Sequence, residues 1–201
     1  MTTIADDNTP YKRFVDTAAA SVPSAVTGGY NLFVDGGLPK VKNSGGTVTV
    51  FSTKYVQVVE TQSGAVSTGT TTIPLDDSIP VNTEGTEWIT LAITPTNASN
   101  YLYFDTNIMV APSTTAFVIG ALFQDTTANA LAVGYTYLTT ANSGSPLRIF
   151  HKMVAGTTSA TTFKIRVGPQ VAATVTINGQ VGGRLFGGVS ISSFTITEIA
   201  V

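Results

Sequence analysis

From about Lys54 to the C-terminus, apolar residues return at every second position, and no stretch sustains a helical period. Ile89, Leu91 and Ile93 share one side of such a run, and Leu102, Phe104, Ile108 and Val110 share another. Phe163, Ile165 and Val167 alternate with Thr162, Lys164 and Arg166, which describes a strand with one wet face. Gln57-Val-Val-Glu60 opens the series, Val175 and Ile177 lead into an Asn178-Gly179 turn, and Phe194 and Ile196 close it. Many short strands separated by Gly, Asn, Asp and Pro restrict the chain to stacked sheets, an all-β sandwich or jelly roll over residues 54–201.

One segment departs from the alternation. In Ala116-Phe-Val-Ile-Gly-Ala-Leu-Phe123 both faces are apolar, with Phe117, Ile119 and Phe123 on one side and Val118 and Leu122 on the other. A strand greasy on both sides needs cover on its outer face. Trp88, Tyr101, Tyr103 and Met109 also fall opposite core-facing neighbours. Interface cores favour aromatics and Met, so Trp88, Tyr101, Tyr103, Phe117, Ile119 and Phe123 are the expected subunit interface. The alternative is that loops of the same subunit lie over this surface. Charge points to association as well: Asp, Glu, Lys and Arg make up 11% of the 201 residues, against roughly 25% in ordinary soluble domains. A monomer whose surface is polar through Thr, Ser and Asn is the competing explanation.

Upstream the texture changes. Residues 1–29 are polar and small, with Tyr11, Phe14 and Val15 as the anchors of any size, and Pro10 and Pro23 fence in the one helix-tolerant run. This reads as an extended attachment arm. Residues 30–53 alternate short strands with Asp35-Gly-Gly37 and Asn43-Ser-Gly-Gly46, a small β-meander that is marginal by itself. Tyr11, Phe14, Tyr30 and Phe33 are the candidates for docking onto a larger particle.

The net charge of −2 gives no footprint for nucleic acid. Acidic residues dominate the first half of the sandwich: no Lys, Arg or His falls between Tyr55 and Leu147. Arg148, Lys152, Lys164, Arg166 and Arg184 follow, so acids of the first half can pair with bases of the second. There is no cysteine, hence no disulfide or thiol chemistry. The N-terminus lacks the features of an export signal, and the apolar run at 116–123 is too short to span a bilayer as a helix; no membrane insertion is expected.

Chemistry finds little support. His151 is the one histidine, without a nucleophile-elbow motif elsewhere; a packed or interface role is expected. Asp76 and Asp77 with Glu84 and Glu87 match no calcium loop, and Asp-Asp between prolines reads as an ordinary turn. Paired carboxylates also serve glycoside hydrolysis, but no coil repeat is present to carry such a site. Gly179 to Gly188 is glycine-dense yet leads into a strand rather than a helix, which argues against a phosphate loop. No catalytic residue, metal or cofactor is expected. Tyr135, Tyr137 and Asn142, in a stretch of small polar residues, are candidate receptor contacts; Tyr135 and Tyr137 fit a packed seam equally well.

Several blocks in order carry a resemblance: Gln57-Val-Val-Glu-Thr-Gln-Ser-Gly-Ala, Ile73-Pro-Leu-Asp-Asp-Ser-Ile-Pro-Val-Asn-Thr-Glu-Gly, Thr90-Leu-Ala-Ile-Thr-Pro-Thr-Asn-Ala-Ser, Ala121-Leu-Phe-Gln-Asp-Thr-Thr-Ala-Asn-Ala-Leu-Ala, Gly156-Thr-Thr-Ser-Ala-Thr-Thr-Phe-Lys-Ile-Arg, Asn178-Gly-Gln and Thr195-Ile-Thr-Glu-Ile. Over about three-quarters of its length the chain resembles the C-terminal β-domains of tailed-bacteriophage fibre and spike proteins. The resemblance implies a trimeric jelly roll similar to tumour necrosis factor, located in the virion after assembly in the host cytoplasm. It implies other virion proteins (capsid, neck or tail) as partners, and a host surface glycan or protein as a further one. The expected function is a non-enzymatic head or tail fibre that docks by its N-terminal region and adheres through the sandwich. The alternatives are a capsid decoration or cement protein and, third, a polysaccharide-degrading spike.

Overall fold

A computed structural model describes residues 30–35, 38–50 and 54–201. The chain divides into two compact units, 1–53 and 54–201. In the first, β1 (Tyr30–Asp35), β2 (Leu38–Asn43) and β3 (Val48–Val50) form an antiparallel sheet in that order. Asn43 makes the β2–β3 turn. Its side-chain oxygen accepts the Thr47 N–H at 2.8 Å while its carbonyl accepts the Gly46 N–H at 3.0 Å. Gly46 sits at φ +84°, where a side chain is disfavoured.

The second unit holds twelve strands: β4 (Tyr55–Ser63), β5 (Ser67–Gly69), β6 (Thr86–Ile93), β7 (Tyr101–Pro112), β8 (Ala116–Gln124), β9 (Ala132–Leu138), β10 (Ser145–Val154), β11 (Thr161–Pro169), β12 (Val175–Ile177), β13 (Gly179–Gln180), β14 (Gly183–Arg184) and β15 (Ser192–Ile199). Four antiparallel pairings nest inside one another: β4 with β15, β6 with β11, β7 with β10, and β8 with β9. A long hairpin rolled up on itself in this way is a jelly roll. One sheet runs β4-β15-β7-β10, with β12 and β5 continuing from the far end of β7; the other runs β6-β11-β8-β9.

Alternation builds the core between them. Leu102, Phe104 and Ile108 of β7 and Leu147 and Ile149 of β10 meet Leu122, Phe163 and Ile165 of the opposite sheet, all at most 1% exposed. Phe104 and Phe163 touch edge to face across the layers, 4.6 Å between centroids. Each such side chain contributes roughly 1.5–3 kcal/mol by leaving water. At one side of the sandwich β9 and β10 come so close that a Cβ on Gly134 would overlap the Arg148 carbonyl. Only glycine permits this approach, and the Thr136 and Ser145 hydroxyls meet across it at 3.2 Å.

Two corrections to the expected pattern follow from local geometry. Trp88 does not lie on the outer face. The β6–β11 register shifts between Ile165 and Arg166, so Arg166 pairs with Glu87 and Trp88 becomes the unpaired residue of the bulge. It packs against the core, beside Val167, Val175 and Ile177. The second concerns β8. Ile119 and Phe123, expected at a subunit interface, are 3% and 0% exposed in the single chain, clustered with Ile73, Ala121 and Ala130. The segment 73–85 lies over them as a strap. Ile73 N–H donates to Pro169 O at 3.1 Å, Asn82 N–H to Ala128 O at 2.8 Å, and Ala130 N–H to Pro80 O at 2.9 Å. Arg166 fastens the strap by donating to the Glu84 and Gly85 carbonyls at 2.7 and 2.8 Å. The same subunit covers the outer side of β8.

Glu198, on β15, is fully buried. Burial alone would raise its pKa. Bonds from Asn100, Gln57 and the Thr96 hydroxyl and N–H outweigh that and lower it from 4.5 to about 2. Asn100 Nδ2 donates at 2.6 Å, Gln57 Nε2 at 2.6 Å, and Thr96 Oγ1 and N at 2.8 and 2.9 Å. One carboxylate thereby holds the β6–β7 loop to β15 and to the edge strand β4.

Candidate functional site

The outer face of β4-β15-β7-β10 follows from register. Val58, Thr197, Tyr103 and Lys152 form one cross-strand row, and Thr195, Asp105 and Phe150 lie beside Glu60 in the next. Ile199, Tyr101 and Val154 complete a third. The face is unusually apolar for one open to water: Val58 is 57% exposed, Phe150 65% and Val154 47%, and Tyr55 at its edge 67%. Tyr103, an expected interface residue, is exposed here, and Tyr101 is half-buried under Lys152, whose Nζ lies 3.7 Å from the Tyr101 ring centroid and 5.3 Å from that of Tyr103. A shallow hollow of about 460 Å3 lies between Tyr55, Tyr101, Tyr103, Lys152 and Ile199. Arg148 pairs with Asp105 at 3.2 Å and lies over Phe150. Arg166 and Lys164 pair with Glu87 at 3.3 and 3.7 Å on the other sheet. All three pairs join a first-half acid to a second-half base, as the charge distribution suggests; at these exposures each is worth about 0–1 kcal/mol.

The outer face of β8–β9 beyond the strap carries an aromatic group. Phe117 stacks on Tyr137 at 4.4 Å between centroids and approaches Tyr135 at 6.0 Å. Phe117 is half-buried; Tyr135 and Tyr137 are 65% and 51% exposed. Between Tyr135 and the strap lies a recess of about 240 Å3, with Ile119 and Val133 as its floor and Pro74, Leu75, Asp76, Ser78 and Pro80 on the strap side. Asp76 Oδ1 accepts both the Ser78 N–H at 2.8 Å and the Ser78 hydroxyl at 2.5 Å. The hydroxyl bond, then the N–H bond, hold the carboxyl below its usual range.

Asn142 belongs to a different surface. It is half-buried at φ +60°, its N–H donates to Pro112 O at 2.7 Å, and its carbonyl accepts Gln180 Nε2. It ties the β9–β10 loop to the β13–β14 hairpin, and Thr115 Oγ1 bonds Thr139 O at 2.9 Å in the same cluster. These loops sit at the Pro112 end of β7; Lys54 and Ala200, joined by a 2.7 Å backbone bond, lie at the Tyr101 end. The glycine-dense segment adds residues that sequence reasoning passed over. Val181, Phe186 and Val189 are 74–76% exposed, and Val181 and Phe186 have φ of +52° and +49°, a region costly for such side chains.

Of the expected docking residues, Tyr11 and Phe14 lie outside the described residues, as does the side chain of Tyr30. Phe33 is 1% exposed, so it is corrected from a presented anchor to a covered one; strand alternation turns Leu32, 51% exposed, to the open side instead. His151 faces inward on β10, 5.7 Å from the Phe104 ring, and burial lowers its pKa. Among the described residues no three His, Cys, Asp or Glu side chains converge as a metal site, and no helix is long and apolar enough to cross a membrane.

No protein-family model matches the chain, and no curated protein matches it. Among solved structures it is similar to Eiger TNF from S. frugiperda, with TM-score 0.44 and 8% identity over 72% of this chain and 94% of that one. It is also similar to a structure of infectious bursal disease virus, Gx strain, with TM-score 0.33 and 7% identity over 76% of this chain and 40% of that one.

Proposed function

We propose that this chain is a non-enzymatic virion appendage of a tailed phage: a homo-oligomeric jelly-roll head that is mounted through its N-terminal region and adheres to the host surface through the sandwich. The observation that carries the reading is the open apolar face of β4-β15-β7-β10, where Tyr55, Val58, Tyr103, Phe150 and Val154 stand in adjacent rows. Large contiguous patches of this kind are rare on monomers and mark association sites. A second copy is the occupant we favour. The face carries opposite charges in adjacent rows, Glu60 and Asp105 beside Lys152 and Arg148, so a rotated copy of itself offers the complementary pattern. The sequence resemblance to phage fibre domains supports three copies.

The polarity of the sandwich supports display. Chain entry at Lys54 and exit at Val201 share one end, and the loops at 113–115, 139–144 and 179–184 share the other. Three copies held side by side would present their loops together, and weak contacts would then act as one by avidity. Light scattering on the full chain tests the association: we expect a mass near three times the 20.9 kDa protomer. A stable monomer at micromolar concentration would remove the basis of the proposal. Cell binding by residues 54–201 would support adhesion. Loss of capsid integrity without the protein, and no cell binding, would favour the decoration role instead.

A further inference from the structure

The recess beside Tyr135 has three properties that together define a ligand. Its volume of about 240 Å3 falls below the roughly 300–1,000 Å3 that drug-sized ligands occupy, so it suits one small ring. It is open on the solvent side, so that ring can be the end of a longer molecule. Its wall is Tyr135, a flat aromatic 65% exposed and steadied by the neighbouring Phe117–Tyr137 stack. A tyrosine gives a broad platform at low conformational-entropy cost, and its negative π face attracts weakly positive C–H groups.

The rim supplies polarity of one kind. Both bonds from Ser78 fall on Asp76 Oδ1, and Oδ2 receives none among the described residues. A carboxylate is acceptor-only, so the ligand must bring donors. No Lys, Arg or His lines the recess, and Arg166 and Lys164, the cations of that sheet face, are engaged by Glu87. An anionic ligand would therefore meet the Asp76 carboxylate with no cation in the lining to offset it. A quaternary ammonium would need several aromatic walls, whereas the strap side offers Pro74, Leu75 and Pro80.

We propose that this recess is a subsite for one uncharged pyranose ring of a glycan, with the C–H face of the ring on Tyr135 and its hydroxyls on Asp76 Oδ2. The inference adds a ligand class on the outer face of β8–β9, apart from the displayed loops, and rests on the proposed function for its biological use.

Saturation-transfer NMR on the full chain tests it, with glucose, galactose, mannose, rhamnose and N-acetylglucosamine as probes and with glucuronate and tetramethylammonium as controls. At least one neutral sugar is expected to bind at about millimolar affinity, with transfer strongest to its ring C–H protons. Tyr135→Ala should weaken that binding at least about tenfold and Tyr135→Phe should retain it; Asp76→Asn should weaken it about tenfold through loss of a charged acceptor. Because Tyr135 is exposed, these variants should keep the parent melting temperature, which is checked alongside. No transfer from any neutral sugar up to about 10 mM, stronger binding of glucuronate or tetramethylammonium, or binding indifferent to Tyr135→Ala would each overturn the assignment. Oligomer mass, measured on the same samples, separates this from the wider reading: a trimer that binds no sugar sinks the subsite alone, and a monomer that binds sugar sinks the assembly.

Discussion

Replacing Glu198 by Gln removes one charge and keeps the shape. In the parent, both carboxylate oxygens accept, from Asn100 and Thr96 on one and from Gln57 and Thr96 on the other. A Gln amide can accept on one atom only, so its NH2 must face at least one of these donors. The pKa displacement from 4.5 to about 2 corresponds to ~3 kcal/mol at ~1.4 kcal/mol per unit. The Gln amide oxygen still accepts from part of this donor set, which leaves an expected loss of about 2 kcal/mol. Urea melts at fixed protein concentration should show that loss at pH 7, with a melting temperature lower by about 4–8 °C. The sign with pH is set by the lowered folded-state pKa: the carboxylate's contribution is complete above about pH 4.5 and is lost as pH falls towards 2. The gap between parent and Glu198→Gln should therefore narrow on acidification. A gap that stays constant from pH 7 to pH 3, or one below about 0.5 kcal/mol at pH 7, would refute the idea that an ionised carboxylate holds this loop.

Three further outcomes are expected. Gly134→Ala should destabilise by about 2–4 kcal/mol, because its methyl overlaps the Arg148 carbonyl and forces β9 off β10; thermal melting of the variant checks this. Arg166→Met keeps the side chain's length but frees the Glu84 and Gly85 carbonyls, and should raise hydrogen exchange at Ile73 and Asn82 with a global loss of about 1–3 kcal/mol. Tyr103→Asp with Phe150→Asp should leave a folded protomer and shift the sedimentation profile to the monomer, since both side chains point outward on the face proposed for association.

The two-residue period was sufficient to read the sandwich. Phe104, Phe163, Ile165, Phe194 and Ile196 lie in the core on the side that alternation assigns them. The cover of β8 was not legible, because nothing in the stretch sets Ile73, which is buried, apart from Leu75 and Ile79, which are exposed; the difference depends on where the strap lands. Trp88 escaped for a related reason: a bulge moves one residue to the other face without leaving a mark in composition. The role of Glu198 was not legible either: it shares the parity of Phe194 and Ile196, but the donors that let a carboxylate sit there are about 100 or more positions away. Glycine density announced a turn at 179–188, but not that Val181 and Phe186 would be the residues held at positive φ and turned outward. The candidate site was half legible: Tyr135 and Tyr137 stood out by composition, whereas the recess exists only because the strap and β9 are neighbours in space.

The backbone bond between Lys54 and Ala200 has a practical corollary. Where the first and last strands of a fold finish side by side, its ends can be spliced by a short linker and new ends opened elsewhere. The loop at 139–144 is the natural place to cut. A permutant opened there would carry its termini some 12 residues of strand away, about 40 Å at 3.4 Å per residue, converting the exposed tip into a fusion point while the original entry becomes a closed turn.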